Sequence, residues 1–232
     1  MTLYTISELS KYYERWNLRT RANNETYVIR NLNMTINDNE FVCIIGKSGV
    51  GKTTLLKILG GIEKPSTGSV VYTNMELYKC SETKMEDYRR KEVGFIFQDY
   101  KLLDEMTIQE NILIPQILDE VPQKVAETRM REITSIFGIS EKNKFYPYEL
   151  SGGEKQRAAI CRALINNPKV ILADEPTGNL DFLNTELILR ILLQVKNEMK
   201  KTIILVTHDK DVCKYADRII RLEPNGIKEI HM

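Results

Sequence analysis

The sequence predicts an α/β fold with a largely parallel sheet and a helical insert, on three observations. Short apolar runs read as strands covered on both faces: Phe41-Val42-Cys43-Ile44-Ile45, Val170 to Ala173 and Ile203 to Val206. A helical stretch from Asn184 to Glu198 separates the last two, and such alternation implies a parallel sheet with helical crossovers. From Asp99 to Leu150 the periodicity is mostly helical.

The elements follow in order. Leu32, Met34 and Ile36 alternate with polar residues, as on a half-buried strand, and Asn37-Asp38-Asn39 is a turn cluster. The polar segment Trp16 to Thr26, with Arg15, Arg19 and Arg21 in or beside it, reads as an exposed hairpin connection or a contact surface. Val93 to Phe97 reads as a strand. Val125, Ile133, Ile136 and Phe137 form an expected core stripe on one helix, ended by Gly138.

A chain of 232 residues is long enough for a sizeable core in one domain. Lys+Arg is 33 and Asp+Glu is 32, a balance that gives no electrostatic footprint for nucleic acid or an anionic membrane surface. The start, Met1-Thr2-Leu3-Tyr4-Thr5, lacks signal-peptide character, and no apolar run reaches the length of a membrane span. Cys43, Cys80, Cys161 and Cys213 show no Cys-x-x-Cys spacing, and Cys43 and Cys161 read as small hydrophobes in a core. The expectation is a cytoplasmic, reduced protein.

Gly46-Lys47-Ser48-Gly49-Val50-Gly51-Lys52-Thr53 fits G-x-x-x-x-G-K-[ST]. An apolar strand precedes it, and the helical pattern Thr54 to Leu59 follows. Glycines let backbone N–H groups wrap a polyphosphate, and the helix N-terminus adds partial positive charge there. Lys52 would reach the β- and γ-phosphates, and the Thr53 hydroxyl would ligate Mg²⁺. The motif alone does not choose between kinases, GTPases and ATPases.

Val170 to Glu175 is an apolar strand ending in two acids, where open α/β sheets bind ligands. Strand alternation would turn Asp174 to a metal ion and Glu175 to a water beside the γ-phosphate. His208 follows the strand Ile203 to Val206 and would stand near the same phosphate.

Leu150-Ser151-Gly152-Gly153-Glu154-Lys155-Gln156-Arg157 reads first as an N-cap at Ser151 on a helix running to about Asn166, its two glycines leaving the N-terminus open to an anion. The same string resembles the signature motif of ABC ATPases. Other residues resemble that family's elements in order: Tyr13, or Tyr12, as the aromatic that stacks on adenine; Gln98 as the residue sensing Mg²⁺ and the attacking water; Glu175 as the general base; Asn179-Leu180-Asp181 as the loop crossing a dimer interface, with Asp181 at that interface; His208 as the switch histidine. The resemblance implies a P-loop NTPase core of mainly parallel sheet, with an N-terminal antiparallel β subdomain and an inserted helical subdomain. It implies a single domain over 1–232, with core at 1–98 and 151–232 and helices at 99–150. ATP would contact Tyr13, Gly46, Lys47, Ser48, Gly49, Val50, Gly51, Lys52, Thr53, Thr54, Ser151, Gly152 and Gly153. Mg²⁺ would be held by Thr53, Gln98 and Asp174.

Asp174 to Asp181 is similar to the macrolide-export and lipoprotein-release group. Gly94 to Leu103, followed by Glu110-Asn111-Ile112, looks like the bacitracin and antimicrobial-peptide resistance transporters of Gram-positive bacteria. The resemblance implies a homodimer formed on ATP binding, and a transmembrane permease docked near Gln98 and the helical insert at the inner face of the membrane. Peptide resistance or efflux is the expected task. Lipoprotein release and regulation of a cell-wall enzyme through a membrane partner are the alternatives. A soluble machine for DNA repair or translation would carry coiled-coil or zinc insertions or two cassettes, and none is visible here.

Overall fold

A computed structural model describes residues 1–17, 22–224 and 226–230 of the chain. The first part holds strands β1 (Thr2–Asn17), β2 (Ala22–Asn37) and β3 (Phe41–Ile45), helix α1 (Lys52–Leu59), strands β4 (Thr67–Tyr72) and β5 (Met75–Glu76), helix α2 (Glu82–Asp87) and strand β6 (Val93–Ile96). Helices α3 (Ile108–Leu118), α4 (Gln123–Ile136) and α5 (Gly152–Leu164) follow. The last part holds β7 (Val170–Asp174), α6 (Phe182–Asn197), β8 (Thr202–Thr207), β9 (Arg218–Glu223) and β10 (Gly226–Ile230).

Period-two alternation divides the interior into two cores. On β3, Phe41, Cys43 and Ile45 face one core while Val42 and Ile44 face the other. On β8, Ile203 and Leu205 oppose Ile204 and Val206 in the same way. Both faces are apolar because both are covered, the condition for a parallel sheet. The six strands lie in the order β10-β9-β3-β8-β7-β6, all parallel except β10. The first core takes in residues of α3 to α6; the second takes in α1 and a four-stranded antiparallel sheet, β2-β1-β4-β5.

Three expectations need correction. The segment Trp16 to Thr26 is mostly strand, since β1 and β2 pair from Tyr13↔Thr26 to Asn17↔Ala22; residues 18–21, with Arg19 and Arg21, lie outside the described residues. The stripe on α4 is rotated. Val125 and Ile136 are 57% and 46% exposed, while Ala126, Met130, Ile133, Thr134 and Phe137 are buried. Ala126, Met130, Ile133 and Phe137 step by four, three and four residues and make the buried face, with Val125 beside it on the exposed side. Gly138 takes φ 63° just past the helix end, a conformation suited to glycine. Finally, α6 starts at Phe182 rather than Asn184, because the Asp181 carboxylate accepts from the Asn184 backbone N–H at 2.8 Å and caps the helix there.

Candidate nucleotide and catalytic site

Register fixes where the site lies. Ile45 pairs with Thr207 and Arg221, and Asp174 pairs with Val206, so β3, β7, β8 and β9 end close to one line. The loops that follow β3, β7 and β8 therefore open on one edge of the sheet.

The loop after β3 needs its glycines. Gly49 and Gly51 have φ 77° and 103°, and a Cβ on Gly51 would stand 2.8 Å from the Val28 carbonyl oxygen. Lys52 is buried at the start of α1, and its ammonium donates to the carbonyls of Gly46 at 2.9 Å and Lys47 at 3.2 Å. The positive charge thus sits inside the concavity of backbone. An open cleft of about 720 Å³ borders this loop on the side of His208, Lys210 and Arg221.

The two acids diverge at the end of β7. Thr53 Oγ1 donates to Asp174 Oδ1 at 3.0 Å. Burial raises the Asp174 carboxyl above its ordinary value and the Glu175 charge adds to this, against the Thr53 hydrogen bond and the lysine charges. Glu175 leaves the strand in the left-handed region, at φ 44°, while its N–H still donates to the Val206 carbonyl at 2.9 Å. Its carboxylate then meets His208 Nδ1 at 2.8 Å. Strand alternation alone would not have given that direction, since alternation stops at Asp174.

Gln98 joins the same cluster through its neighbours. Its carbonyl accepts from Asn179 Nδ2 at 3.1 Å, and a Cβ on Gly178 would lie 3.1 Å from its side-chain nitrogen. The Gly178 N–H donates to the Glu175 carbonyl at 3.1 Å. Gln98 is thereby packed against the loop that carries the acids. Thr53, Asp174 and Gln98 offer hydroxyl, carboxylate and amide oxygens, a hard donor set suited to Mg²⁺ completed by phosphate and water.

Of the two tyrosines, Tyr13 is the one beside the phosphate loop. Its hydroxyl donates to Glu63 Oε1 at 2.5 Å and also interacts with Thr54, and the ring is 42% exposed. The hydrogen bond to Glu63 raises its pKa. Tyr12 lies against Tyr27, ring centroids 5.1 Å apart, and its backbone bonds the Ser66 hydroxyl.

Ser151 caps α5. It forms a capping box in which its N–H and hydroxyl both donate to Glu154 Oε2, at 2.8 and 2.7 Å. Those bonds hold the Glu154 carboxyl below its ordinary range. The neighbouring glycines have a reason within this chain. A Cβ on Gly153 would overlap the Asn184 side chain, and one on Gly152 would lie 3.0 Å from the Tyr100 hydroxyl. Among the described residues, the hydrogen bonds of Ser151 stay within the start of this helix, and the atoms nearest a Cβ on the two glycines belong to Asn184, Tyr100, Leu180 and Asn179. The sequence points to Asn179 only as part of the loop Asn179-Leu180-Asp181 expected at a dimer interface, and not to the contacts within the chain made by Asn179, Asn184 and Tyr100. The first two are asparagines in or next to the loop after the acids, a signal that could have been read as loop-fixing side chains.

The class of protein is now defined: this is a phosphate-loop nucleotide hydrolase, with acids and histidine on neighbouring strand ends. Comparison with known proteins narrows it. A family model described as ABC transporter matches residues 29–178. The bacitracin export ATP-binding protein BceA of Halalkalibacterium halodurans is 40% identical over 204 residues, covering 88% of this chain and 81% of that protein. The lipoprotein-releasing system ATP-binding protein LolD of Bacteroides fragilis is 40% identical over 208 residues, covering 90% and 96%. A solved ATP-binding cassette, a dimer in a post-hydrolysis state bound to ADP and Pi, superposes with a TM-score of 0.88 at 32% identity, covering 99% of this chain and 100% of that one. The chain belongs to the ABC transporter ATP-binding family. It is an ATPase whose hydrolysis is coupled to transport.

Proposed function

We propose that this ATPase powers a permease for antimicrobial-peptide resistance or efflux, and that hydrolysis uses the cluster on the sheet edge. The convergence of Lys52, the Thr53–Asp174 pair and the Glu175–His208 pair is the observation that carries the mechanism. Lys52 exchanges the carbonyls of Gly46 and Lys47 for the β- and γ-phosphates. When bound at Thr53, Asp174 and Gln98, Mg²⁺ supplies neutralisation of phosphate charge. Glu175 accepts a proton from the attacking water, and His208 holds Glu175 and faces the γ-phosphate. Tyr13 carries the adenine. Phosphoryl transfer of this kind needs positioning and charge compensation rather than a covalent intermediate.

The hydrogen bonds of Ser151 and the atoms nearest a Cβ on Gly152 and Gly153 lie in their own helix, Asn184, Tyr100, Leu180 and Asn179 rather than in the phosphate loop, which supports a head-to-tail pair. The open end of α5 in one copy then meets the ATP held by the other, with Asp181 at the interface between them. The relative solved as a dimer with ADP and Pi is consistent with this arrangement.

The permease contact is proposed at a cleft beside Gln98, between β6 and α3. Its lining includes Phe95, Phe97, Ile114 and Leu118. The Phe95 and Phe97 rings stack at 4.3 Å, and Leu118 is 61% exposed. Among the described residues no helix is long and apolar enough to cross a membrane, so attachment to the inner face would come through this contact. Residues 99–150 would act as the lever against the core at 1–98 and 151–232.

The bacitracin-export relative supports the peptide reading, and the lipoprotein-releasing relative supports a second, in which the permease releases lipoproteins. Co-purification with the membrane partner and measurement of which compounds stimulate ATPase activity tests both. Stimulation by a peptide antibiotic supports the first; stimulation by a lipoprotein and not by a peptide antibiotic supports the second.

A further inference from the structure

Residues 98–103 link the catalytic cluster to the helical segment, and they are pinned at three points. At the start, Asn179 holds the Gln98 carbonyl at 3.1 Å. At the end, the buried Asn111 side chain accepts from the Leu103 N–H at 2.7 Å and donates to its carbonyl at 3.0 Å. Between them, Arg162 of α5 donates one guanidinium nitrogen to the Tyr100 carbonyl at 2.6 Å and the other to the Lys101 carbonyl at 2.5 Å.

The middle pin is unusual in two respects. Tyr100 and Lys101 are consecutive residues at φ 60° and 49°, and neither is glycine. Two successive side chains in the left-handed region are disfavoured unless the surroundings hold them. Among the described residues, no ion pair involves Arg162. A half-buried guanidinium without a carboxylate is costly if its only task is packing, and an apolar side chain would fill the space without that cost. A planar fork matches two carbonyls that the reversed turn presents side by side. Arg162 lies on the helix that begins at Ser151, and the Tyr100 hydroxyl rests over Gly152 of that helix. The turn is thus fastened to the signature helix at two points, while Gln98, two residues before the turn, is fastened to the loop after the acids.

We propose that Arg162 is a positioning residue for ATP hydrolysis: it ties the left-handed turn at Tyr100 and Lys101 to α5 and so sets where Gln98 stands. Arg162 also lines the cleft with Phe95, Phe97 and Leu118, so a protein segment seated there would press on the turn. The inference rests on the role given above to Gln98 in hydrolysis.

The test is a cycle of variants in the full-length chain, read by kcat, KM and equilibrium binding of a fluorescent ATP analogue. Arg162→Met is expected to lower kcat by about tenfold to 10²-fold, the scale of small misplacements transmitted from outside the chemistry. KM and analogue affinity should stay within about twofold, since the phosphate loop is untouched. Arg162→Lys should not restore kcat, because an ammonium cannot make the planar double contact. Lys101→Gly added to Arg162→Met should recover part of kcat, because glycine takes a positive φ without help. Combining Arg162→Met with Gln98→Ala should be no slower than Gln98→Ala alone. Should Arg162→Met fail to fold, Arg162→Lys carries the same cycle. Wild-type kcat in the Arg162 variants, or losses that multiply when combined with Gln98→Ala, would overturn the inference. Wild-type kcat in Gln98→Ala alone would instead remove the role given to Gln98, and this inference with it.

Discussion

The Glu175 carboxylate meets the His208 imidazole at 2.8 Å, from the ends of two adjacent parallel strands. The contact exists because Glu175 takes a left-handed backbone turn while its N–H stays bonded to Val206 of β8. The acid and the histidine are thereby fixed relative to each other by the sheet.

Lys52→Ala should abolish tight MgATP binding. The ammonium is held inside the loop by the carbonyls of Gly46 and Lys47, already placed for phosphate. Charge-assisted hydrogen bonds are worth about 1.5–3 kcal/mol, a loss of about tenfold to 10²-fold in affinity. An equilibrium titration with labelled ATP measures this, and unchanged affinity would remove Lys52 from its role.

Ser151→Arg should leave folding and single-chain nucleotide binding largely intact and block hydrolysis. Among the described residues, Ser151 hydrogen-bonds Glu154 and not the phosphate loop, so in the head-to-tail pair a large charged side chain there fills the space that a partner's γ-phosphate needs. Losing such stabilising groups costs about 10²-fold or more in rate. Full ATPase activity with both signatures altered in the purified complex would contradict the head-to-tail arrangement.

Stability should fall in acid through the helix caps. Hydrogen bonds from Thr107 and Ser151 lower the carboxyls of Glu110 and Glu154. A lowered folded-state pKa gives stability that is present above the unfolded value, about 4.3 for glutamate, and is lost as pH falls through the folded value. The melting temperature should therefore drop between about pH 5 and about pH 3, and the Glu110→Gln, Glu154→Gln double variant should drop less over the same range. Parallel melting curves for the two proteins would count against this account of the caps.

Much of this was legible in the sequence because it is written in local patterns. The apolar runs Phe41 to Ile45 and Ile203 to Val206 announce strands covered on both faces, and the glycine spacing from Gly46 to Gly51 announces a backbone cradle. What was not legible depends on tertiary contact. The buried face of α4 runs through Ala126, Met130, Ile133 and Phe137, and the tertiary packing that turns Val125 and Ile136 outward leaves no mark in the local periodicity. The direction of Glu175 comes from a positive φ at a non-glycine residue, which no propensity predicts. Asn179 on Gln98 and Asn184 against Gly153 join residues that are 81 and 31 positions apart, beyond the reach of any local rule.

The most direct test of the central claim, that Glu175 is the base and ATP holds two chains together, is size-exclusion chromatography of Glu175→Gln with ATP and with ADP, beside its ATPase rate. The change keeps size and shape but removes the carboxylate, and loss of a general base costs about 10²–10⁴-fold in rate. Lys52, Thr53 and Asp174 are untouched, so ATP still binds. The account predicts an inactive protein that elutes as a dimer with ATP and as a monomer with ADP. Hydrolysis at the wild-type rate would contradict Glu175 as the base, and an inactive variant that stays monomeric with ATP, alone and with its permease, would contradict ATP as the link between the two chains.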